Sequence, residues 1–355
     1  MKHEHILIIR FSALGDVAMM VPVVWALARQ YPDVRITVLS RPIARPFFDA
    51  LAPNVNFMEA DIKGEYHGLK GLNALFRRLV AKQFTAVADM HNVLRSEYLR
   101  LRFNLSNYRV EHINKHRHSR RQLVAPEKKK RKKQLPTSFQ NYLDVLDRLG
   151  YPISRENLCF RSIFEDTDVP CISTIGAKKA GQQWVGIAPF AAHRGKIYPT
   201  GQMEKLITML TDRYPDMRLF LFGRGKDEDQ LFPQWEQRHP QCLFVGHHTN
   251  NMKEELMLMS QLDVMVSMDS ANMHLASLTG TPVVSVWGAT HPFAGFMGWG
   301  QTEENAVQTE MPCRPCSIFG NKPCKRGDYA CLTSITPEMI LEKINRILTK
   351  NQQEQ

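Results

Sequence analysis

The stretch from Met265 to Gly288, Met-Val-Ser-Met-Asp-Ser-Ala-Asn-Met-His-Leu-Ala-Ser-Leu-Thr-Gly-Thr-Pro-Val-Val-Ser-Val-Trp-Gly, constrains the fold more than any other part of the chain. An apolar, β-rich run (Val264 to Met268) stops at Asp269 and Ser270, both good helix N-caps. An apolar helix of about ten residues leads to Gly280, and a second β-rich run follows. This is a βαβ unit, which belongs to a parallel sheet. At its centre Asp269, Ser270 and His274 share the first helical turn with N–H groups that have no intrahelical acceptor, the geometry that binds a phosphate.

A second junction of this kind opens the chain. His5-Ile-Leu-Ile-Ile-Arg10 runs into Phe11-Ser-Ala-Leu-Gly15-Asp16, and an apolar helix is expected from about Val17 to Ala28. Gly15 lets backbone approach a ligand closely. Asp16 falls at the carboxyl end of the strand, where open α/β sheets bind their ligands, and its carboxylate is a candidate base or an N-cap.

Strand-like and helical runs alternate along all 355 residues, so the fold class is α/β with doubly wound parallel sheets. Strands are expected near 6–9, 34–39, 55–58, 87–90 and 109–113, with a helix near 43–52 between the second and third, and again near 184–188, 218–222, 243–245, 264–268 and 283–287. The length suits two domains. The expected division is 1–165, a linker at 166–183 that is polar and contains Pro170, and 184–355. The longest apolar run, Val17 to Ala28, is too short to span a bilayer and lacks a basic signal-peptide head, so a cytoplasmic protein is expected.

The net charge of +11 is concentrated: residues 112–133 hold ten Lys/Arg and one Glu. This block reads as a loop inside the first domain whose partner is a polyanion, whether phosphorylated lipid, membrane surface or nucleic acid. It contains no Phe, Tyr or Trp for base stacking, which counts against a nucleic-acid-binding module. The first β-turn lacks Gly-x-Gly-x-x-Gly, which counts against a dinucleotide oxidoreductase. Cys313-x-x-Cys316, Cys324 and Cys331 have the count and one spacing of an all-cysteine structural zinc site, with free thiols and a disulfide as alternatives. Asp227-Glu-Asp229 has the form of a metal-holding Asp-x-Asp, but it opens a helix, where acidic residues belong in any case.

Arg10-Phe-Ser-Ala-Leu-Gly-Asp-Val17, Asp89-Met-His-Asn-Val-Leu-Arg-Ser96, Ala191-Ala-His-Arg-Gly-Lys-Ile-Tyr-Pro199 and Met268-Asp-Ser-Ala-Asn-Met-His-Leu-Ala-Ser277 together resemble the ADP-heptose:lipopolysaccharide heptosyltransferases, glycosyltransferase family 9. The resemblance implies a GT-B architecture, two Rossmann-like domains facing across a cleft, and inverting transfer from a nucleotide sugar without a catalytic metal. It makes Asp16 the base that deprotonates the acceptor hydroxyl and Lys196 the cation that neutralises the donor diphosphate. Asp269, Ser270, Ala271 and His274 become the donor-binding helix start, with Gly15, Ala191 and Ala192 as further donor contacts. Arg41, Arg45, Arg95 and the basic block would face an anionic, lipid-linked core acceptor at the inner face of the cytoplasmic membrane. The chain departs from the common pattern at Ala191 and Ala192, where hydroxyl residues are frequent, at Tyr198, where Trp is frequent, and at Ser270-Ala-Asn-Met273, which replaces Thr-Gly-Leu-Ser. These departures leave open a family member with another sugar donor and acceptor. On the residues alone, Lys196 is also readable as a solvated surface charge and His274 as a core histidine.

Overall fold

The computed structural model describes residues 4–164 and 174–354. The chain divides into two compact units. The first comprises the residues up to Lys115 and Pro136–Ile163, and the second His116–Leu135 and the residues from Phe164 onward.

The first unit contains β1 (His5–Ile9), α1 (Leu14–Ala18), α2 (Val21–Gln30), β2 (Arg35–Ser40), β3 (Val55–Glu59), α3 (Gly68–Val80), β4 (Ala86–Asp89), α4 (Leu94–Leu105) and β5 (Arg109–His112). After α5 (Arg117–Leu123), which belongs to the second unit, α6 (Ser138–Arg148) completes it. The sheet is parallel throughout, in the order β3-β2-β1-β4-β5. Its central strands read as continuous apolar runs because both faces are covered, and Ile6, Leu7, Ile8 and Ile9 are wholly buried. The strand order reverses between β1 and β4, so the loops leaving these two strands flank the crevice where such sheets bind ligands.

The second unit contains β6 (Trp184–Ala188), α7 (Thr200–Arg213), β7 (Arg218–Leu221), α8 (Lys226–Arg238), β8 (Cys242–Phe244), α9 (Met252–Met259), β9 (Val264–Met268), α10 (Ala271–Leu278), β10 (Val283–Val286), β11 (Ala306–Val307), α11 (Ala330–Thr333) and α12 (Pro337–Glu354). The sheet order β11-β10-β9-β6-β7-β8 is the doubly wound dinucleotide-fold order, reversing between β6 and β9. The βαβ unit expected around Met265–Gly288 is β9-α10-β10, with Val284 opposite Val266 in parallel register.

Three expectations change. The helix predicted from Val17 is two helices, because Pro22 supplies no N–H to bond the turn before it and α2 restarts with Pro22 in its first turn. The helix expected at 43–52 is a 3₁₀ turn, Pro42–Phe47, interrupted by Pro46. The basic block, assigned by sequence position to the first domain, belongs from His116 to Leu135 to the second unit. There Lys130 Nζ donates to the carbonyls of Cys313 (2.7 Å) and Pro315 (2.9 Å), Lys132 pairs with Glu310, Leu135 N–H bonds Phe293 O (2.9 Å), and Arg120 lies over the rings of Phe296 and Phe319. A like-charge run packs here because its lysines find carbonyl and carboxylate acceptors, which leaves Lys128, Lys129, Arg131 and Lys133 exposed between the docked positions. Of the expected linker, 166–173 lies outside the described residues. Lys178 is held on the second unit by Asp263 (2.7 Å) and Gln261 O (3.0 Å).

Candidate active site

In the first unit the two loops at the strand-order reversal build one cluster. α1 begins at Leu14, so Asp16 sits in its first turn and its carboxylate accepts the Ala13 N–H (3.2 Å), which is the capping role. The same oxygen pairs with Arg10 Nη2 at 2.8 Å, and the Asp16 side chain remains 28% exposed. Arg10 is buried. It donates to Met90 O from the β4 loop and lies 5.7 Å from the Tyr142 ring centre, while Tyr142 OH donates to Asp16 O (3.1 Å). The carboxylate is thus held by the Ala13 N–H and Arg10, the Asp16 backbone by Tyr142, and the side chain still reaches solvent.

The β4 loop is fixed by Asp89, which is wholly buried. One of its oxygens accepts the N–H groups of His91 (2.9 Å) and Asn92 (2.8 Å), and the other faces Arg100 (3.3 Å). Asn92 takes the left-handed conformation (φ 51°) that asparagine tolerates better than most residues. His91 is thereby placed with Nδ1 accepting the Phe11 N–H (3.4 Å), so its own proton is on Nε2, beside Ser12 Oγ (3.2 Å). Burial, and then the neighbouring Arg10 charge, push its pKa down from 6.5 to about 3. Folding therefore excludes a proton that the unfolded imidazole takes up. This contribution to stability is complete above pH 6.5 and is lost as pH falls from there toward 3. The urea midpoint should drop between about pH 7 and about pH 5, and less steeply in His91→Gln. Parallel pH profiles for the two proteins would contradict this.

Of the expected acceptor arginines, Arg45 is engaged with Glu59 (2.7 Å) and Asp49 (3.5 Å) on the surface. Arg41 precedes the 3₁₀ turn, and Arg95 is exposed in the first turn of α4, close enough to His91 to influence its titration.

In the second unit, Lys196 from the loop after β6 meets the loop after β9. Its Nζ donates to Asp269 O (2.8 Å) and stands 3.1 Å from the Asp269 carboxylate, with the lysine side chain 16% exposed. Lys196 is therefore a held cation and not a solvated surface charge. Three glycines permit this. Gly320 (φ 75°) lies against the lysine stem, a side chain on Gly195 would strike Gly320 O, and one on Gly288 would strike Gly195 O. Ser270 takes the N-cap backbone conformation, but its hydroxyl turns to Ser267 Oγ (3.2 Å) and makes no capping bond. The N-cap side chain thus leaves the first N–H groups of α10 uncapped beside Lys196, as an anion-binding site requires. Ala271 is half-buried in that turn, and His274 is buried on α10. Ala191 and Ala192 follow β6, Ala191 half-buried and Ala192 exposed. Tyr198 is wholly buried and donates to Ile335 O (2.8 Å), which makes it a core residue.

Asp227, Glu228 and Asp229 occupy the first turn of α8, and Glu228 folds over Gly223 and Gly225. Among the described residues, no three His, Cys, Asp or Glu side chains are arranged to hold a metal ion. The six described cysteines are free thiols, and Cys171 lies outside the described residues. Burial pushes the Cys331 thiol up to about 11 and that of Cys316 upward. Sequence reasoning missed Arg10, Ser12 and His91 as one cluster, and it missed Arg314. That arginine is buried and donates to the carbonyls of Gly288 (2.6 Å), Thr290 (2.9 Å) and Thr309 and to Gln308 Oε1 (3.1 Å), tying the cysteine loop to the strand end beneath Lys196.

The family model for glycosyltransferase family 9 (heptosyltransferase) matches residues 72–325. The chain belongs to glycosyltransferase family 9. It is similar to the lipooligosaccharide heptosyltransferase 2 of Haemophilus influenzae, with 25% identity over 98% of this transferase and 100% of the relative. Among solved structures it resembles a family 9 glycosyltransferase from Veillonella parvula (TM-score 0.74, 17% identity, 99% of this chain and 98% of that one). It also resembles the E. coli ADP-heptose LPS heptosyltransferase II (TM-score 0.70, 18% identity, 98% and 99%). These likenesses assign the transferase the GT-B fold, in agreement with its two parallel-sheet α/β units. No described helix of the transferase is long and apolar enough to cross a membrane.

Proposed function

We propose that the transferase moves heptose from ADP-heptose to a lipopolysaccharide core acceptor with inversion at the anomeric carbon. The observation that carries this reading is the Lys196 clamp beside the uncapped start of α10, a cation and a helix N-terminus aimed at one place. The donor named for the E. coli relative and the acceptor named for the Haemophilus relative supply the substrate class.

In this reading the acceptor hydroxyl gives its proton to Asp16 as its oxygen attacks the anomeric carbon. The bond from that carbon to the diphosphate breaks, and ADP leaves. Negative charge grows on the leaving phosphate, so Lys196 and the α10 N–H groups bind the transition state more strongly than the ground state. They take the part that a divalent cation plays in other transferases, and transfer is expected to be metal-independent. Arg41, Arg95 and the exposed Lys128, Lys129, Arg131 and Lys133 are offered to acceptor phosphates, and the enzyme works at the cytoplasmic membrane face. Thermal-shift measurements across nucleotide sugars test the donor: ADP-heptose should raise Tm by mass action more than UDP- or GDP-sugars do. A larger shift with another nucleotide would assign a different donor.

A structural metal ion at Cys313, Cys316, Cys324 and Cys331 is a separate proposal. Four soft sulfur ligands suit zinc, but the loop must tighten to bring them to bonding distance. Elemental analysis of protein purified without added metal should then find about one ion per chain. Less than about 0.2 per chain would reject the site, and transfer that survives chelation would make any such ion structural.

A further inference from the structure

Helix α4 has two apolar faces and can bury only one. Ser96, Leu99 and Phe103 are buried, Phe103 against Phe76 of α3 with ring centres 5.0 Å apart. On the opposite face Leu94 is 84% exposed, Leu101 55% and Leu105 73%. At 3.6 residues per turn, Leu94, Tyr98, Leu101 and Leu105 fall within an arc of about 60° and form a stripe about 16 Å long. Leu69, at the start of the neighbouring α3, is 67% exposed. The two helices are joined by Tyr98 OH donating to Asn73 Oδ1 (2.7 Å) and by Arg102, which bonds Asn73 and covers the Phe76 ring. Together they carry six Lys/Arg and one Glu. Lys70, Arg77, Arg78 and Arg95 are exposed.

We infer that this face of α3 and α4 lies in the interfacial region of an anionic bilayer, the leucines entering the acyl boundary and the basic side chains meeting lipid phosphates. The charge selects this occupant. A symmetric contact with a second copy would set the same cationic helices against each other, whereas an anionic lipid surface complements them. The inference deepens the reading of a lipid-linked acceptor, and it places acyl contact on these leucines and not on the basic segment, which presents no exposed large apolar side chain between His116 and Leu135.

The test is co-sedimentation with vesicles of equimolar phosphatidylglycerol and phosphatidylethanolamine, with phosphatidylcholine vesicles as the neutral control. Wild type should bind the anionic vesicles only. The double variant Leu101→Ser/Leu105→Ser should bind at least about tenfold more weakly, because two exposed leucines lose their insertion energy. Lys70→Gln/Arg77→Gln should weaken binding at low salt and match wild type at high salt. Both variants should keep the wild-type melting temperature and donor-induced thermal shift. Equal vesicle binding by wild type and the leucine variant, with the donor shift intact, would overturn this inference alone. Absence of any nucleotide-sugar shift in wild type would instead overturn the functional reading. A wild-type dimer that the leucine variant converts to monomer, read by light scattering, would make the stripe a protein interface and also overturn the inference.

Discussion

Asp16→Asn should lower turnover by about 10²–10⁴-fold while leaving donor affinity within about twofold of wild type. The amide oxygen can still accept the Ala13 N–H, so the start of α1 keeps its cap, but an amide cannot take the acceptor's proton. Arg10 loses a charged partner at 2.8 Å, and stability should fall by about 1–2 kcal/mol, too little to unfold the domain. Single-turnover kinetics at saturating donor, with ADP affinity by calorimetry, separate the two effects. An unchanged rate would remove Asp16 from the chemistry and leave it a helix cap.

Lys196→Ala should weaken ADP binding and slow transfer together, reducing kcat/KM by about 10²–10³-fold. Two causes combine. In the proposed mechanism the donor diphosphate loses its cation, and Asp269, 3% exposed, keeps a carboxylate with no counter-charge beside it. The double variant Lys196→Ala/Asp269→Asn tells them apart: it should recover part of the ADP affinity, because the repulsion is gone, and little of the rate. ADP affinity indifferent to Lys196 would show that the lysine serves only to pair Asp269.

The sheets were legible because buried parallel strands are continuous apolar runs. All ten expected strands are present within a residue or so at each end, whereas β11 is too short, at Ala306–Val307, to leave a pattern. One loop of each pair at the strand-order reversals could be found from a polar residue at the helix start that follows the strand, Asp16 after β1 and Asp269 after β9. What joins the residues within a loop pair is tertiary and was not legible. Nothing local says that Arg10 reaches Asp16 or that His91 meets Ser12, and a single arginine such as Arg314 reads as surface until the loop wraps it. The α4 stripe misleads for a related reason: Leu94, Tyr98, Leu101 and Leu105 have the spacing of a core face, and the packing chose Leu99 and Phe103 instead. The basic segment followed sequence position to the wrong unit, because its acceptors, the carbonyls of Cys313 and Pro315 and the Glu310 carboxylate, lie far along the chain.

The central claim is tested most directly by mixing the purified transferase with ADP-heptose and a heptose-deficient lipopolysaccharide core, then following ADP release and the mass and anomeric configuration of the product. The account predicts one heptose added per acceptor, one ADP released, an inverted anomeric centre, and near-complete loss of product with Asp16→Asn. Transfer with retention of configuration, or ADP release that is the same with and without acceptor, would contradict it.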